Sequence, residues 1–391
     1  MKISSYPGST DRSVVAHRTA SKLRAFSSRR AEFPVMIGFD GFIDSIIAAV
    51  EKRFDASTYQ PIEMMEQFGR KILDAAGKNA NYEFVVKRRK LGGNGPILAN
   101  ALATLGLPVT FIGAIGYPQV DPVFSELAAR ADCLSIANPG FTDAIEFNDG
   151  KLLLGKYEHL ESICWSTLCD VVGEQRFYEI VSRSRLIGMV NWTLLSRLDE
   201  IWQQMIERVL PTVTNLTKLR RLIFVDLADP EKRTLSDLQR GLARCTAFSK
   251  YTDVVLGMNF KEAAQVAAGL GIATAVGPEL DLAPLSQQIR SSLQINGVVI
   301  HSPRSSSACL IANEREAVAS FASCFTDKPQ ISTGAGDSFN SGFCLGLLAE
   351  LTVNEALCVG TATAGYYVRN ASAPTLEQLV EFVELLRQLE N

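Results

Sequence analysis

The sequence predicts an α/β fold in which helices cover both faces of a mainly parallel sheet. Short β-branched runs alternate with longer stretches of helical periodicity, and the joints between them carry Gly and Pro. The runs lie at 35–39, 109–112, 222–225, 254–256 and 298–300. Helical spacing of apolar residues is expected over 97–105, 198–210, 234–248, 339–351 and 376–389, with joints at Gly106-Leu107-Pro108, Asp229-Pro230 and Gly277-Pro278. Ligands of such sheets bind beyond the carboxyl ends of the strands, so the residues that follow the apolar runs are the candidates for chemistry.

Two stretches break that rhythm. Residues 45–91 hold a polar, helix-prone segment ending in Lys87-Arg88-Arg89-Lys90, a basic run expected on a solvated face. Residues 133–160 hold Ile145-Glu146-Phe147, then Asn148-Asp149-Gly150, then Leu152-Leu153-Leu154, a hairpin pattern. A β element standing off the main sheet in this way would suit a lid. Residues 1–34 form an extension ahead of the first run. Arg12, Arg18, Lys22, Arg24, Arg29 and Arg30 sit there among serines, with Asp11 as the only acid before residue 31. That composition is the one transit peptides have, but Val14, Val15, Ala25 and Phe26 fall at helical spacing, and a helix lying on the domain surface is the expectation. Residues 35–391 form the main domain.

Of the 391 residues, 47% are hydrophobic, enough to bury a large core. A net charge of -3 supplies no global basic field for nucleic acid or an anionic membrane, so neither is expected as a partner. The eight cysteines form no CxxC pair and have no histidine at zinc spacing, which predicts reduced thiols in a soluble, cytoplasmic protein. No apolar run approaches the roughly 20 residues that span a bilayer. Neither GxxxxGK[ST] nor a GxGxxG after the first run is present, which disfavours nucleotide sites of those designs. His17, His159 and His301 fit no triad or metal pattern and read as structural.

The sharpest chemical signal is Ser332-Thr333-Gly334-Ala335-Gly336-Asp337-Ser338-Phe339, with two glycines and an aspartate where a helix begins. Gly334, Ala335 and Gly336 would turn unpaired amides and the positive end of a helix dipole toward an anionic oxygen. Asp337, in that first turn, would take the proton of an attacking hydroxyl as a phosphoryl group arrives. The plainer reading is a capping carboxylate beside a tight turn. Gly342 and Gly346 weigh against it, because they give the helix a small-residue face for close packing.

The segment from Thr333 to Phe339 resembles the C-terminal signature of the ribokinase-like (pfkB-type) carbohydrate kinases, and further matches follow in family order across roughly residues 35–385. The resemblance implies a ribokinase-like three-layer sandwich with a mainly parallel central sheet and a small β lid drawn from parts of 45–91 and 133–160. It also implies transfer of the γ-phosphoryl group of ATP to a hydroxyl of a small sugar, with Mg²⁺, a monovalent cation as a further candidate, and Asp337 as base. Gly38-Phe39-Asp40-Gly41-Phe42-Ile43-Asp44 stands where the family places a sugar-binding aspartate; Asp44 fits best and Asp40 is the alternative. A carboxylate there can accept two sugar hydroxyls at once.

Gly92-Gly93-Asn94-Gly95 resembles the family's N-terminal glycine pair, which admits substrate against bare backbone. The family's sugar-contacting asparagine falls on Ile97 here, which makes Asn94 the substitute contact. The same stretch is similar to that of the related ADP-dependent sugar kinases, so ADP stays open as donor. Asn259-Phe260-Lys261-Glu262 matches the N-x-x-E element that organises magnesium and phosphate, against the plain reading of an Asn-capped helix. Asp226, Asp229 and Arg233 resemble a strand-ending family segment of less defined role. His301-Ser302-Pro303-Arg304 replaces the family's Gly-containing turn, leaving Ser302, Arg304 and Thr333 as candidates for nucleotide contacts. A homodimer through the lid is a further implication. A nucleoside kinase on the same scaffold and a catalytically silent sugar- or nucleotide-binding regulator are the competing readings.

Overall fold

The computed structural model describes residues 11–217, 219–273, 281–312 and 314–386. The strands, in chain order, are β1 (Val35–Phe39), β2 (Phe42–Arg53), β3 (Tyr59–Pro61), β4 (Phe84–Gly92), β5 (Val109–Gly113), β6 (Asp132–Ser135) and β7 (Gly140–Phe147). They continue with β8 (Gly150–Lys156), β9 (Leu186–Val190), β10 (Leu222–Asp226), β11 (Asp253–Asn259), β12 (Gly297–His301), β13 (Ser305–Ala312) and β14 (Arg315–Ala322). The main sheet runs in the order β14-β13-β12-β11-β10-β9-β1-β5-β6. It is parallel from β6 through β12 and antiparallel at β13 and β14. All five expected runs are strands of this sheet.

β1 is buried along its whole length because helices cover both of its faces. Val35 and Ile37 enter one hydrophobic cluster with Leu98, Phe111 and Phe343, while Met36 enters another with Ile112, Ile187 and Trp202. Burial on both faces is the condition that selects an unbroken apolar run over an alternating one. β9 was not among the expected runs, because its centre is a glycine. A Cβ at Gly188 would stand 2.6 Å from the Cδ1 of Ile37, so packing demands the residue that hides the strand from a propensity reading.

The expected helices are present with shifted ends: Asn94–Thr104, Leu235–Phe248, Ala335–Leu348 and Leu376–Leu385. The run at 198–210 is Leu198–Gln204, a π turn at Met205–Val209, and Leu210–Leu216. Pro211 accounts for the break, since it cannot supply an amide to a continuous α-helical ladder. Helix Val353–Asn370 was not anticipated; it is buried on nearly all sides, and a helix without a polar face has no strong 3.6-residue pattern. The joint at Gly277-Pro278 and the end of the 376–389 run beyond residue 386 lie outside the described residues.

A second sheet is formed by β2, β3, β4, β7 and β8. β2 is its spine, pairing β4 antiparallel on one edge and β7 parallel on the other, with β8 closing a hairpin onto β7 as the pattern at 145–154 anticipates. The stretch 45–91 differs from the polar helical segment expected, since only Met65–Asp74 is helical there. Residues 42–49 of β2 are buried throughout, so that part of the chain carries no alternation to mark it as a strand. Lys87, Arg88 and Arg89 are exposed as expected, on β4. The chain passes from the main sheet to the second at Gly41, where a Cβ would fall 1.8 Å from the carbonyl oxygen of Ala114.

The basic extension is helical over Arg12–Ser27, with the Asp11 carboxylate accepting from the amides of Ser13 and Val14 at the cap. Its buried face is Val15, Ala16, Thr19, Ala20, Leu23 and Phe26, and Lys22 reaches Glu355 at 2.6 Å. The helix packs on Val353–Asn370 and Leu376–Leu385, the layer that flanks the 335–348 helix. It is an integral part of the core, which gives a direct test. Leu23→Ala, at a fully buried position, is expected to lower unfolding stability by about 2–4 kcal/mol in urea titrations. A loss below about 0.5 kcal/mol would mean that the helix is not docked in solution.

Candidate active site

Five strand ends of the main sheet deliver polar residues to one region: Asp40 after β1, Asn191 after β9, Asp226 on β10, Asn259 on β11 and His301 on β12. Helix Ala335–Leu348 starts opposite them, with Gly334 at its cap in the left-handed region at φ +90°. A Cβ there would stand 2.9 Å from the Tyr367 hydroxyl and 3.2 Å from Ile97 Cδ1, so glycine is required twice over. Among the described residues no protein oxygen takes the amides of Gly334 and Gly336, while that of Ala335 donates to the Ser332 carbonyl at 3.2 Å.

Asp337 stands in the first turn. Its Oδ1 accepts from Asn94 Nδ2 at 2.9 Å, a tether between two helix starts 243 residues apart in the chain. Burial, then the charge of Asp40, pushes the Asp337 carboxyl up from 3.8 to about 8, against the lowering effect of the Asn94 bond.

Asp40 is fully buried and does not face an open site. Its Oδ1 accepts from the Gly95 amide at 2.7 Å, and its Oδ2 from the Asn94 amide at 2.9 Å and from Asn191 Nδ2 at 2.8 Å. The structure thus uses Asp40 as the cap of helix Asn94–Thr104, with both oxygens accepting from protein donors. Burial still raises it to about 6.

Asp44, on β2, lies against Gly92, where a Cβ would fall 2.4 Å from its Oδ1. At Gly93 a Cβ would fall 2.8 Å from Asp40 Oδ2. The glycine pair is therefore demanded by two carboxylates pressing on one piece of backbone. Lys90 Nζ stands 3.8 Å from Asp44 Oδ2, and burial raises the Asp44 carboxyl in spite of it.

Asn259 and Glu262 form a capping box, each side chain accepting the other's amide at 3.0 and 2.8 Å. The second Glu262 oxygen accepts from the Asp229 amide at 3.1 Å. Asp226 accepts from Asn340 Nδ2 at 2.8 Å, and its carboxyl is raised by burial and by the charges of Glu262 and Asp337. Arg233 is structural: it donates to the carbonyls of Trp192, Thr193 and Leu195 and lies over the Trp192 ring. Among the described residues no three carboxylate, His or Cys groups converge as a metal-binding set.

Beside Asp337 opens a cavity of about 540 Å³. Asn259, His301, Ser302 and Gly336 are among its lining residues, together with the apolar Phe325, Pro329, Ala364 and Val368. Ser302 uses its hydroxyl within its own turn, accepting from Ser305 N at 3.1 Å and donating to its carbonyl at 3.0 Å. Arg304 is outside the wall; its guanidinium stacks on Phe325 at 4.5 Å. Thr333 offers its carbonyl to the Tyr367 hydroxyl at 3.0 Å and does not line the cavity.

Four contributors escaped the sequence reading. Asn340, three residues after Asp337, shares its helical face, a spacing that marks it in the sequence. Asn191 and Tyr367 follow or lie on the two elements that went unrecognised. His301 sits in no motif, so nothing in the sequence marks it.

With this geometry, the similarity to known proteins becomes decisive. A family model described as prokaryotic ketohexokinase matches residues 11–385. The chain belongs to that family. Membership makes it an ATP-dependent sugar kinase. The ketohexokinase of Haloferax volcanii is 28% identical over 369 residues, 92% of this chain and 95% of that protein. Two solved structures share the fold at low identity. Arabidopsis thaliana ribokinase complexed with ribose and ATP has a TM-score of 0.58 at 15% identity, covering 90% of this chain and 99% of that one. The ligand-free Burkholderia thailandensis nucleoside kinase has a TM-score of 0.56 at 14% identity, covering 90% and 100%. This ribokinase-type kinase has, among the described residues, no helix long and apolar enough to cross a membrane.

The raised Asp337 carboxyl carries a stability consequence. Between pH 4 and 8 the folded kinase holds a proton that the unfolded chain has released, so this site's contribution to stability declines as pH rises through that window. Asp337→Asn removes the effect. The variant is expected to melt higher than wild type at pH 8, with the gap narrowing toward pH 4; a gap that does not change with pH would contradict the raised carboxyl.

Proposed function

We propose that this protein transfers the γ-phosphoryl group of ATP to a hydroxyl of a ketohexose, with Asp337 as the base that accepts the hydroxyl proton. The observation that carries the reading is the place of Asp337. It stands where the cavity wall at Gly336 meets the side formed by Asn94, Gly92, Gly93 and Asp44. A nucleotide fits the cavity with its base toward Phe325, Pro329 and Val368 and its phosphates toward the open amides of Gly334 and Gly336. Asp44 and the bare backbone at Gly92 suit the hydroxyls of a small sugar. A base whose pKa lies near 8 is matched to proton transfer close to neutral pH, and a loose phosphoryl transition state asks chiefly for positioning and charge.

The charges of Glu262 and Asp337 raise the Asp226 carboxyl, that of Glu262 raises Asp337 as well, and Asn340 Oδ1 is buried without a protein partner among the described residues. That surplus of oxygen and negative charge fits Mg²⁺ arriving with the nucleotide and reached partly through water, since Asn259 and Glu262 spend their oxygens on main-chain amides. Bound there, the cation would neutralise charge on the transferring phosphoryl group.

The second sheet brings Asp44 and Gly92 to the acceptor side, which suits a lid that excludes water when sugar is bound. Phe84, Val86, Leu153 and Leu154 are exposed on that sheet, in keeping with a homodimer through it. The intact Asn94–Asp337 pair favours an enzyme over a silent regulator, and the family favours a ketohexose over a nucleoside acceptor.

Two measurements test the reading. Asp337→Asn is expected to lower kcat with ATP, Mg²⁺ and D-fructose by about 10²–10⁴-fold while calorimetry still shows ATP binding; turnover near the wild-type rate would reject the mechanism. For the wild type, kcat/KM should fall as pH drops below about 8, because the base is then protonated. A flat profile between pH 6 and 8 would remove Asp337 from that role.

A further inference from the structure

His301 ends β12 and lies in register beside Asn259 of β11. Its ring packs on Phe339 at 4.9 Å, tilted by 39°, and forms part of the cavity wall. A Cβ on Gly336 would stand 3.1 Å from the ring's Cε1 and 3.4 Å from Nε2, so the imidazole rests against the very turn whose amides are open.

Of the other polar side chains of the wall, Ser332 is exposed, Thr326 accepts from the Lys328 amide, and the rest have protein partners. Asn259 is committed to its capping box, Lys261 pairs with Asp229 and Glu231, Ser302 closes its own turn, Ser323 donates to the Ser302 carbonyl, and Thr361 meets Ser306. Neither nitrogen of His301 has a protein partner among the described residues. A polar group recessed in a wall without a partner forfeits hydrogen-bond energy that a ligand can restore.

We propose that His301 binds the phosphate chain of the nucleotide donor, adding a side-chain N–H to the open amides of the 334–336 turn. The assignment rests on the kinase reading and deepens it. Burial holds the ring neutral, with a pKa near 4, so it carries one N–H and one acceptor nitrogen. Contact with Gly336 places that N–H at the phosphate end of the cavity, while Phe325, Pro329 and Val368 form the apolar part suited to the base. Phe339 behind the ring fixes its orientation, which lets one hydrogen bond act without further ordering.

The test is calorimetric titration of wild type, His301→Leu and His301→Gln with ATP and with adenosine, without sugar, alongside each protein's melting temperature. Leu fills a similar volume without a donor and is expected to weaken ATP about tenfold while leaving adenosine within about twofold. Gln, which restores an N–H, is expected to recover ATP binding to within about threefold of wild type. Unchanged ATP affinity in the Leu variant, or equal losses for ATP and adenosine, would overturn the assignment, the second by showing that the ring only packs the wall. Should the Leu variant fail to fold, a Gln variant that binds ATP no better than His301→Ala overturns it equally. Wild type that binds no ATP would overturn the kinase reading and this assignment together, whereas wild-type binding beside an indifferent variant overturns the assignment alone.

Discussion

The structure turns on the accumulation of carboxylates at the mouth of the parallel sheet. Asp40, Asp226, Glu262 and Asp337 come from four distant parts of the chain and are close enough that the charge of one opposes ionisation of another. Such a cluster is unfavourable in itself. It persists because each member is held by donors: Asp40 by two amides and Asn191, Asp226 by Asn340 and the Ala228 amide, Glu262 by two amides, and Asp337 by Asn94. The strand ends and helix starts around the site are thereby fixed relative to one another.

Not all of these acids can do the same work. Asp40 has no free face and serves as a cap, and in doing so it sets where Asn94 begins its helix and hence where the Asn94 side-chain Nδ2 meets Asp337. Glu262 resembles it, with both oxygens on main-chain amides. Asp337 has a single neutral donor from another residue and the least compensation, and so the greatest reason to exchange its proton near neutral pH. The same crowding leaves this end of the sheet with a surplus of negative charge and acceptor oxygen.

The glycines repeat this logic in steric form. Gly92 and Gly93 lie under Asp44 and Asp40, and Gly334 lies under Tyr367 and Ile97. Ile97 therefore packs against the turn that leads into Asp337, and Asn94, three residues earlier on the same helix, makes the polar contact to that carboxylate.

Much of this was legible in one dimension. The five apolar runs became strands of one sheet because residues buried on both faces leave a continuous signature, and the glycine-aspartate helix start was readable because close approach of backbone admits little besides glycine. β9 and helix Val353–Asn370 were not legible, since Gly188 and the small residues of that helix answer to neighbours rather than to local preference. With them went Asn191 and Tyr367. The chain by itself determined its family, the α/β architecture and the helix start that carries Asp337, all of which depend on short-range patterns. Only the folded molecule decided that Asp40 caps a helix while Asp44 lies against Gly92, and that His301 stands in the cavity wall. Those roles depend on which donors and charges arrive from distant segments, and sequence order carries no record of that arrival.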